Sequence, residues 1–343
     1  MRGPGRLRRV KSTDPGISRV RRGRGFTYLN SSGAAVADAN TLQRIRRLSI
    51  PPAWTDVWIC REPMGHLQAA GTDAAGRRQY LYHERWRRRR DREKFDRMLR
   101  FAESLPALRG AVASDLHGRD LGIETVLACA VRLLDVGLFR VGSEIYAKNG
   151  SYGLATLRRE HARVSGRRIH FDFTAKSGVR RMISVSDPEV ASVLRRLSRR
   201  PDGGEELLVG RVADRWKSVR STDINGYIKQ HAGDEFSAKD FRTWHATVLA
   251  AVLLAQHDGA SSPTGRRRVV AAVTNDVASE LGNTPAVCRS SYIDPRIVDR
   301  YRERITIDLA GNSTDGDDTM RQGIEQRVLD LLRGPGSSAD KAA

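Results

Sequence analysis

Leu281-Gly282-Asn283-Thr284-Pro285-Ala286-Val287-Cys288-Arg289-Ser290-Ser291-Tyr292 is the stretch on which the reading of this 343-residue chain turns. Thr284 is a good helix N-cap and Pro285 suits the first helical position. Asn283 therefore lies just outside a helix start, where backbone N–H groups favour an anion. Pro295 forces Asp294 out of the helical region, which ends this helix near Tyr292 and leaves the phenol able to project instead of packing. An earlier stretch belongs beside it, Lys239-Asp240-Phe241-Arg242-Thr243-Trp244-His245. There Phe241, His245, Val248 and Val252 recur at helical spacing and mark a buried face, while Lys239 and Arg242, three apart, share another.

Three further pieces stand in order along the chain: Gly76-Arg77-Arg78-Gln79-Tyr80-Leu81-Tyr82, Phe139-Arg140-Val141-Gly142 through Tyr146, and Thr174-Ala175-Lys176 in an expected hairpin. Together the five pieces resemble the type IB DNA topoisomerases, in the compact form of bacteria and poxviruses, from Ile17 to Arg304. The resemblance implies an α+β fold, with a small β-rich N-terminal domain and a larger, mainly helical catalytic domain carrying a small β-hairpin. These would close on DNA as a bilobed clamp. It also implies that Tyr292 attacks a phosphodiester held by Arg140 and Arg242, with Asn283 as a further donor. Lys176 would be the acid and Lys239 a second contributor, and Gln79, Tyr80, Tyr82 and Tyr146 would touch DNA. Poxvirus enzymes carry His where Asn283 stands. Asn keeps the donor and cannot be charged, so a contact without proton transfer is expected.

Composition agrees with a polyanionic partner. The net charge is +20 and the sequence pI 10.7, a field that attracts nucleic acid. Hydrophobic residues make up 39%, enough for real cores, and the length makes two domains the default. Cys60, Cys129 and Cys288 form no close pair, which suggests neither a disulfide framework nor a C-x-x-C metal site. No apolar run approaches the ~20 residues of a membrane span, and the N-terminus lacks an apolar signal core. A soluble, cytoplasmic, nucleoid-associated protein is expected, without a membrane partner. There is no H-E-x-x-H, carboxylate cluster, P-loop or convincing G-x-G-x-x-G. We therefore expect no metal, no nucleotide and no other cofactor.

Residues 1–25 hold nine Lys or Arg against Asp14 alone and read as a flexible basic arm. Residues 26–90 read as the β-rich DNA-binding domain. In it the turn Thr72–Gly76 leads to a strand with Gln79 and Leu81 on one side and Tyr80 and Tyr82 on the other. Residues 91–310 form the catalytic domain, and 311–343 a linker, a short helix at 319–333 and a disordered end without assigned chemistry. Arg85 to Phe101 reads as a basic helix, hinge-like or simply solvated. Helices are expected near 188–198, 221–231, 238–256, 267–281 and 295–304. The strands Arg168–Phe173 and Met182–Val185 flank Ala175-Lys176-Ser177-Gly178 and put Lys176 on a hairpin tip. A mobile loop is expected over Asp258–Gly265. His245, on an apolar face, reads as a core histidine.

Strand transfer suits these residue types. Displacing an alkoxide spreads negative charge over the nonbridging phosphate oxygens, and the planar, permanently charged fork of arginine matches it. The departing 5′ oxygen needs a proton, hence a positioned acid. Neighbouring cations lower the pKa of a tyrosine, whose free value is ~10. Two other readings compete. A tyrosine recombinase would share the catalytic domain but usually carries His where Lys239 stands and has a helical N-terminal domain. A non-catalytic DNA-coating protein would need only the charge, and not the ordered Arg, Lys, Lys, Arg, Asn, Tyr series. The resemblance further implies a monomer acting on double-stranded DNA.

Overall fold

The computed structural model describes residues 6–118, 120–213, 215–257, 259–260, 262–309 and 317–334. Two compact units divide between Lys94 and Phe95, where the sequence reading set the join after residue 90.

The first unit is a five-stranded sheet in the order β2-β1-β3-β4-β5, antiparallel throughout. Its strands are β1 Ile17–Arg22, β2 Gly25–Leu29, β3 Thr55–Ile59, β4 Leu67–Thr72 and β5 Arg78–Tyr82. Helix α1 (Ala39–Arg47) is capped by the Asp38 carboxylate, which accepts from the Thr41 N–H, and buries Ile45 against Ile17, Val57, Ile59 and Ala69. The expected arm over residues 1–25 needs correcting, because β1 lies inside it and pairs with both β2 and β3. Residues before β1 are also engaged: the Arg8 carbonyl accepts from the His66 N–H. Met1–Gly5 lie outside the described residues. Along β5 the expected alternation holds, with Gln79 and Leu81 partly covered and Tyr80 and Tyr82 exposed.

The second unit is mainly helical, in keeping with the α+β expectation. Helix α2 (Glu84–Leu116) runs unbroken through the division between the units, and from Met98 onward its apolar residues enter the second core. Helix α3 (Ile123–Gly137) is apolar almost all round, as a helix enclosed on every side must be, and forms the centre of that core. Its C-cap, Leu138, takes a left-handed conformation at φ 55, which costs a non-glycine residue ~1 kcal/mol or more. The chain then passes through Arg140 to the short helix α4 (Glu144–Ala147). Gly142, at φ +85, lies against Gly153 so closely that a Cβ there would stand 2.8 Å from the Gly153 Cα. Two glycines thus let Arg140 and Val141 accept from the Leu154 and Ala155 N–H groups.

A three-stranded antiparallel sheet follows, made of β6 Ala162–Ser165, β7 Arg168–Thr174 and β8 Arg180–Ser186. In β7, Ile169, Phe171 and Phe173 face the core and alternate with exposed Arg168, His170 and Asp172. Helix α5 (Pro188–Ser198), the hairpin β9 (Val209–Val212) and β10 (Arg215–Ser218), and α6 (Ser221–Ala232) complete the periphery.

Helices α7 (Ala238–Gln256), α8 (Pro263–Leu281), α9 (Pro285–Ser291) and α10 (Pro295–Arg302) follow. Helix α8 starts earlier than expected. Pro263 takes a first-turn position and the Ser262 hydroxyl accepts from the Gly265 N–H, so the expected loop over 258–265 is cut short. Asp258 and Ser261 of that loop lie outside the described residues.

The C-terminal helix α11 (Asp317–Arg333) buries Val328, Leu329 and Leu332 in the main core. It also joins a buried charge cluster. Arg109 bridges Asp135 and Glu325, and Arg321 reaches Asp135, Glu325 and His245. The segment read as an appendage is thus structural over α11. Residues 310–316 and 335–343, part of the expected linker and tail, lie outside the described residues.

Candidate active site

Helix α8 ends in a Schellman motif. Gly282 adopts φ +60, its N–H bonds the Ser279 carbonyl at 3.0 Å and the Asn283 N–H bonds the Ala278 carbonyl at 2.9 Å. Thr284 then caps α9 by accepting from the Val287 N–H, with Pro285 in its first turn. Asn283 is thereby fixed between the C-terminus of one helix and the N-terminus of the next, a geometry that the residues 282–285 encode locally.

Three arginines converge on the terminal carbonyls of α8. Arg181 donates to Ser279 at 3.3 Å and Glu280 at 2.6 Å, Arg242 to Leu281 at 2.6 Å, and Arg140 to Gly282 at 3.1 Å. A helix C-terminus leaves its last carbonyls without intrahelical partners and carries a partial negative charge, which offsets the mutual repulsion of the guanidiniums. Arg140 also donates to the Asn283 side-chain oxygen. Arginine has no acceptor, so the Asn283 amide must turn its Nδ2 away. That nitrogen is buried and has no partner among the described residues.

Arg242 is 4% exposed, and its guanidinium also donates to the carbonyl of the strained Leu138. Arg242 and Lys239, three apart on α7, both bring charge to Tyr292 but differ in burial. Lys239 is exposed and Arg242 is buried, since α7 packs on nearly all sides around Phe241, Trp244, Ala246 and Thr247. Burial and the nearby Arg140 push the Arg242 pKa down to about 10.

Tyr292 is the C-cap of α9, as expected, but its phenol does not project. It is 8% exposed, with the Arg242 guanidinium carbon 5.6 Å from its ring centroid. Burial alone would raise its pKa. The charges of Arg242 and Arg140, a hydrogen bond from Arg242 and the charge of Lys239 outweigh burial, so the net shift is downward. The backbone around it is also held. Thr247 of α7 lies 3.3 Å from the Tyr292 carbonyl as donor and accepts from the Asp294 N–H at 3.2 Å.

One cleft of this unit is lined by Arg140, Lys176, Arg181, Arg242 and Gly282. Lys176 occupies the exposed tip between β7 and β8, next to Ser177 and Gly178, both at positive φ. Arg140, Lys176, Arg242, Asn283 and Tyr292 are thus brought into one neighbourhood, and Lys239 joins it through its charge on Tyr292. Tyr146 is exposed on α4, beyond the Arg140 segment. In the first unit the Tyr80 and Tyr82 rings lie 6.3 Å apart on the open face of β5, whereas Gln79 faces the other way and donates to Asp73 at 2.9 Å. Among the described residues no group of three or more His, Cys, Asp or Glu could hold a metal ion. No described helix is long and apolar enough to cross a membrane.

Fixed cationic donors around a buried phenol make a site suited to an anion. The family described as the catalytic core of eukaryotic DNA topoisomerase I matches residues 83–309, and the N-terminal domain of bacterial DNA topoisomerase IB matches residues 25–73. The chain belongs to the type IB DNA topoisomerases. The DNA topoisomerase 1B of Acanthamoeba polyphaga mimivirus is 30% identical, with 92% of this topoisomerase and 96% of the relative covered. The DNA topoisomerase 1B of Vaccinia virus (strain Copenhagen) and the DNA topoisomerase I of Monkeypox virus are each 21% identical, covering 85% of this chain and 92% of theirs.

Two neighbours of this candidate site escaped the sequence reading, Arg181 and Thr247. Arg181 carried a usable signal. In β8 it shares the inward phase with Ile183 and Val185, and an arginine at an inward strand position needs a partner. Thr247 carried none, because its partners lie 45 and 47 residues away in sequence.

Proposed function

We propose that this type IB topoisomerase relaxes supercoiled double-stranded DNA by a transient single-strand break, with Tyr292 as nucleophile. The phenolate oxygen of Tyr292 attacks the scissile phosphorus, and the bond from phosphorus to the 5′ oxygen breaks. Lys176 gives a proton to that oxygen, leaving a 3′-phosphotyrosyl bond, a free 5′ hydroxyl and a neutral lysine. Arg140 and Arg242 hold the nonbridging oxygens, Asn283 Nδ2 donates to one of them, and Lys239 adds positive charge beside the phenol. The new ester keeps the energy of the old one, so the reverse step reseals the strand and the cycle consumes no nucleotide. Neither step calls for a metal, because fixed cations already meet the developing charge. Tyr80, Tyr82 and Tyr146 contact the duplex. Gln79 joins them only by giving up its bond to Asp73. The enzyme acts as a monomer in the cytoplasm, on nucleoid DNA.

The observation that carries this reading is the buried phenol beside Arg242, its pKa lowered by the same cations that would hold a phosphate. The test is relaxation of a supercoiled plasmid in EDTA without ATP. Loss of relaxation in Tyr292→Phe with DNA binding retained supports the reading, and undiminished relaxation in that variant ends it. Exchange between two defined sites, with no relaxation of a single-site plasmid, would favour a recombinase.

A further inference from the structure

We propose that Arg181 is a positioning residue that ties the Lys176 hairpin tip to the C-terminus of α8, and so holds the proton donor over the scissile phosphate. The proposal rests on the reading of Lys176 as the acid.

The tip needs such a tie. Residues 176–180 are all exposed, and Arg180 turns back to pair with Asp172 inside the same hairpin. Arg181 is the next residue, and it leaves the hairpin for α8, bonding the Ser279 and Glu280 carbonyls. It also packs on the bare Cα of Gly282, where a Cβ would stand 3.1 Å from its Nη1. One side chain thereby connects a strand five residues beyond Lys176 to the turn that presents Asn283. Both terminal nitrogens of Arg181 are committed to carbonyls. Arg242 also bonds carbonyls with both terminal nitrogens, but from the buried helix α7, whereas Arg181 does so from the exposed hairpin and is thereby placed to orient it. Arg140, on the same turn, reaches onward to the Asn283 side chain.

The turn itself does not depend on Arg181, since the Schellman bonds, Arg140 and Arg242 hold it as well. Loss of Arg181 should then misplace the proton donor more than the phosphate-holding groups. A leaving group that needs no proton separates the two effects. Sulfur in place of the bridging 5′ oxygen departs as a thiolate, because a thiol is a far stronger acid than an alcohol.

The experiment is single-turnover cleavage of two duplexes that differ only in that bridging atom, by wild type, Lys176→Ala and Arg181→Ala. On the oxygen substrate Lys176→Ala should slow cleavage about a hundredfold or more and Arg181→Ala at least about tenfold. On the sulfur substrate both should recover to near the wild-type rate. An Arg181→Ala defect equal on both substrates, or no defect, overturns the proposal while leaving the acid reading intact. Failure of Lys176→Ala to recover sinks the acid reading, and this proposal with it. Thermal melting establishes that Arg181→Ala is folded; if it is not, Arg181→Gln, which keeps a donor, carries the same comparison.

Discussion

Arg140 donates to the side-chain oxygen of Asn283, 143 residues further along the chain, and this contact fixes which way the amide points. The buried Nδ2 is left as a donor with no partner among the described residues. A buried unpaired donor costs ~1–3 kcal/mol, a cost that binding of an anion removes. The strain of Leu138 at φ 55 and the positive φ of Gly142 belong to the same device, because they deliver Arg140 to this turn.

Replacing Asn283 therefore tests a hydrogen bond and not a charge. Asn283→Ala should slow single-turnover cleavage by ~10²-fold, the usual cost of one lost donor to a developing oxyanion. Asn283→Asp should be worse, because a carboxylate would face the phosphate and would compete for Arg140. Both should bind duplex nearly as well as wild type in a filter or mobility-shift titration. A defect that resides in affinity alone would reassign Asn283 to backbone contact.

The lowered pKa of Tyr292 makes a second expectation. Burial opposes the phenolate, while Arg242, Arg140 and Lys239 favour it. The rate of cleavage should rise with pH as the phenolate forms, along a limb whose midpoint lies below 10. Lys239 is exposed, so Lys239→Gln can remove its charge without leaving a buried hole. The limb should then move to higher pH, with the two rates converging at high pH where the phenol of either protein is ionised. A uniform reduction at all pH values would mean that Lys239 acts on the DNA and not on the phenol.

Much of this site was legible because its signals are local. Thr284 and Pro285 set the start of α9, and Pro295 set its end. Burial and long-range pairing were not legible. Strand β1 carries Arg19, Arg21 and Arg22 and buries only Ile17, so it reads as an arm. The backbone ladders to β2 and β3 make it a strand. The covered phenol of Tyr292 and the buried Arg242 were missed because α7, α9 and the carbonyls of Leu138 and Leu281 meet only in the folded chain. Helix α11 likewise looked unattached because its partners, Arg109 and Asp135, lie far earlier in sequence.

The cluster around Asp135 carries the last expectation, a dependence of stability on pH that is separate from activity. Asp135 is 3% exposed. Burial pushes its pKa up, but His245, Arg321 and Arg109 more than reverse this, so it lies well below the ordinary 3.8. His245 sits beside it; burial outweighs the raising effect of its hydrogen bond to the Asp135 carboxylate and holds its pKa below the ordinary 6.5. In both cases the unfolded chain binds the proton more readily than the folded one, so stability falls as pH falls. Loss through His245 begins near its ordinary 6.5, and loss through Asp135 adds to it below 3.8. His245→Gln should flatten the upper part of a plot of Tm against pH and leave the lower part. Asp135→Asn leaves Arg109 and Arg321 underpaired in the core, with Glu325 as their remaining carboxylate. This should cost on the order of 3 kcal/mol at neutral pH, or about 10 °C in Tm. Because α11 supplies Arg321 and Glu325, the same loss should loosen that helix, visible as faster amide exchange over residues 317–333 than over α3. An Asp135→Asn protein with unchanged Tm and unchanged exchange in α11 would show that the cluster contributes nothing net.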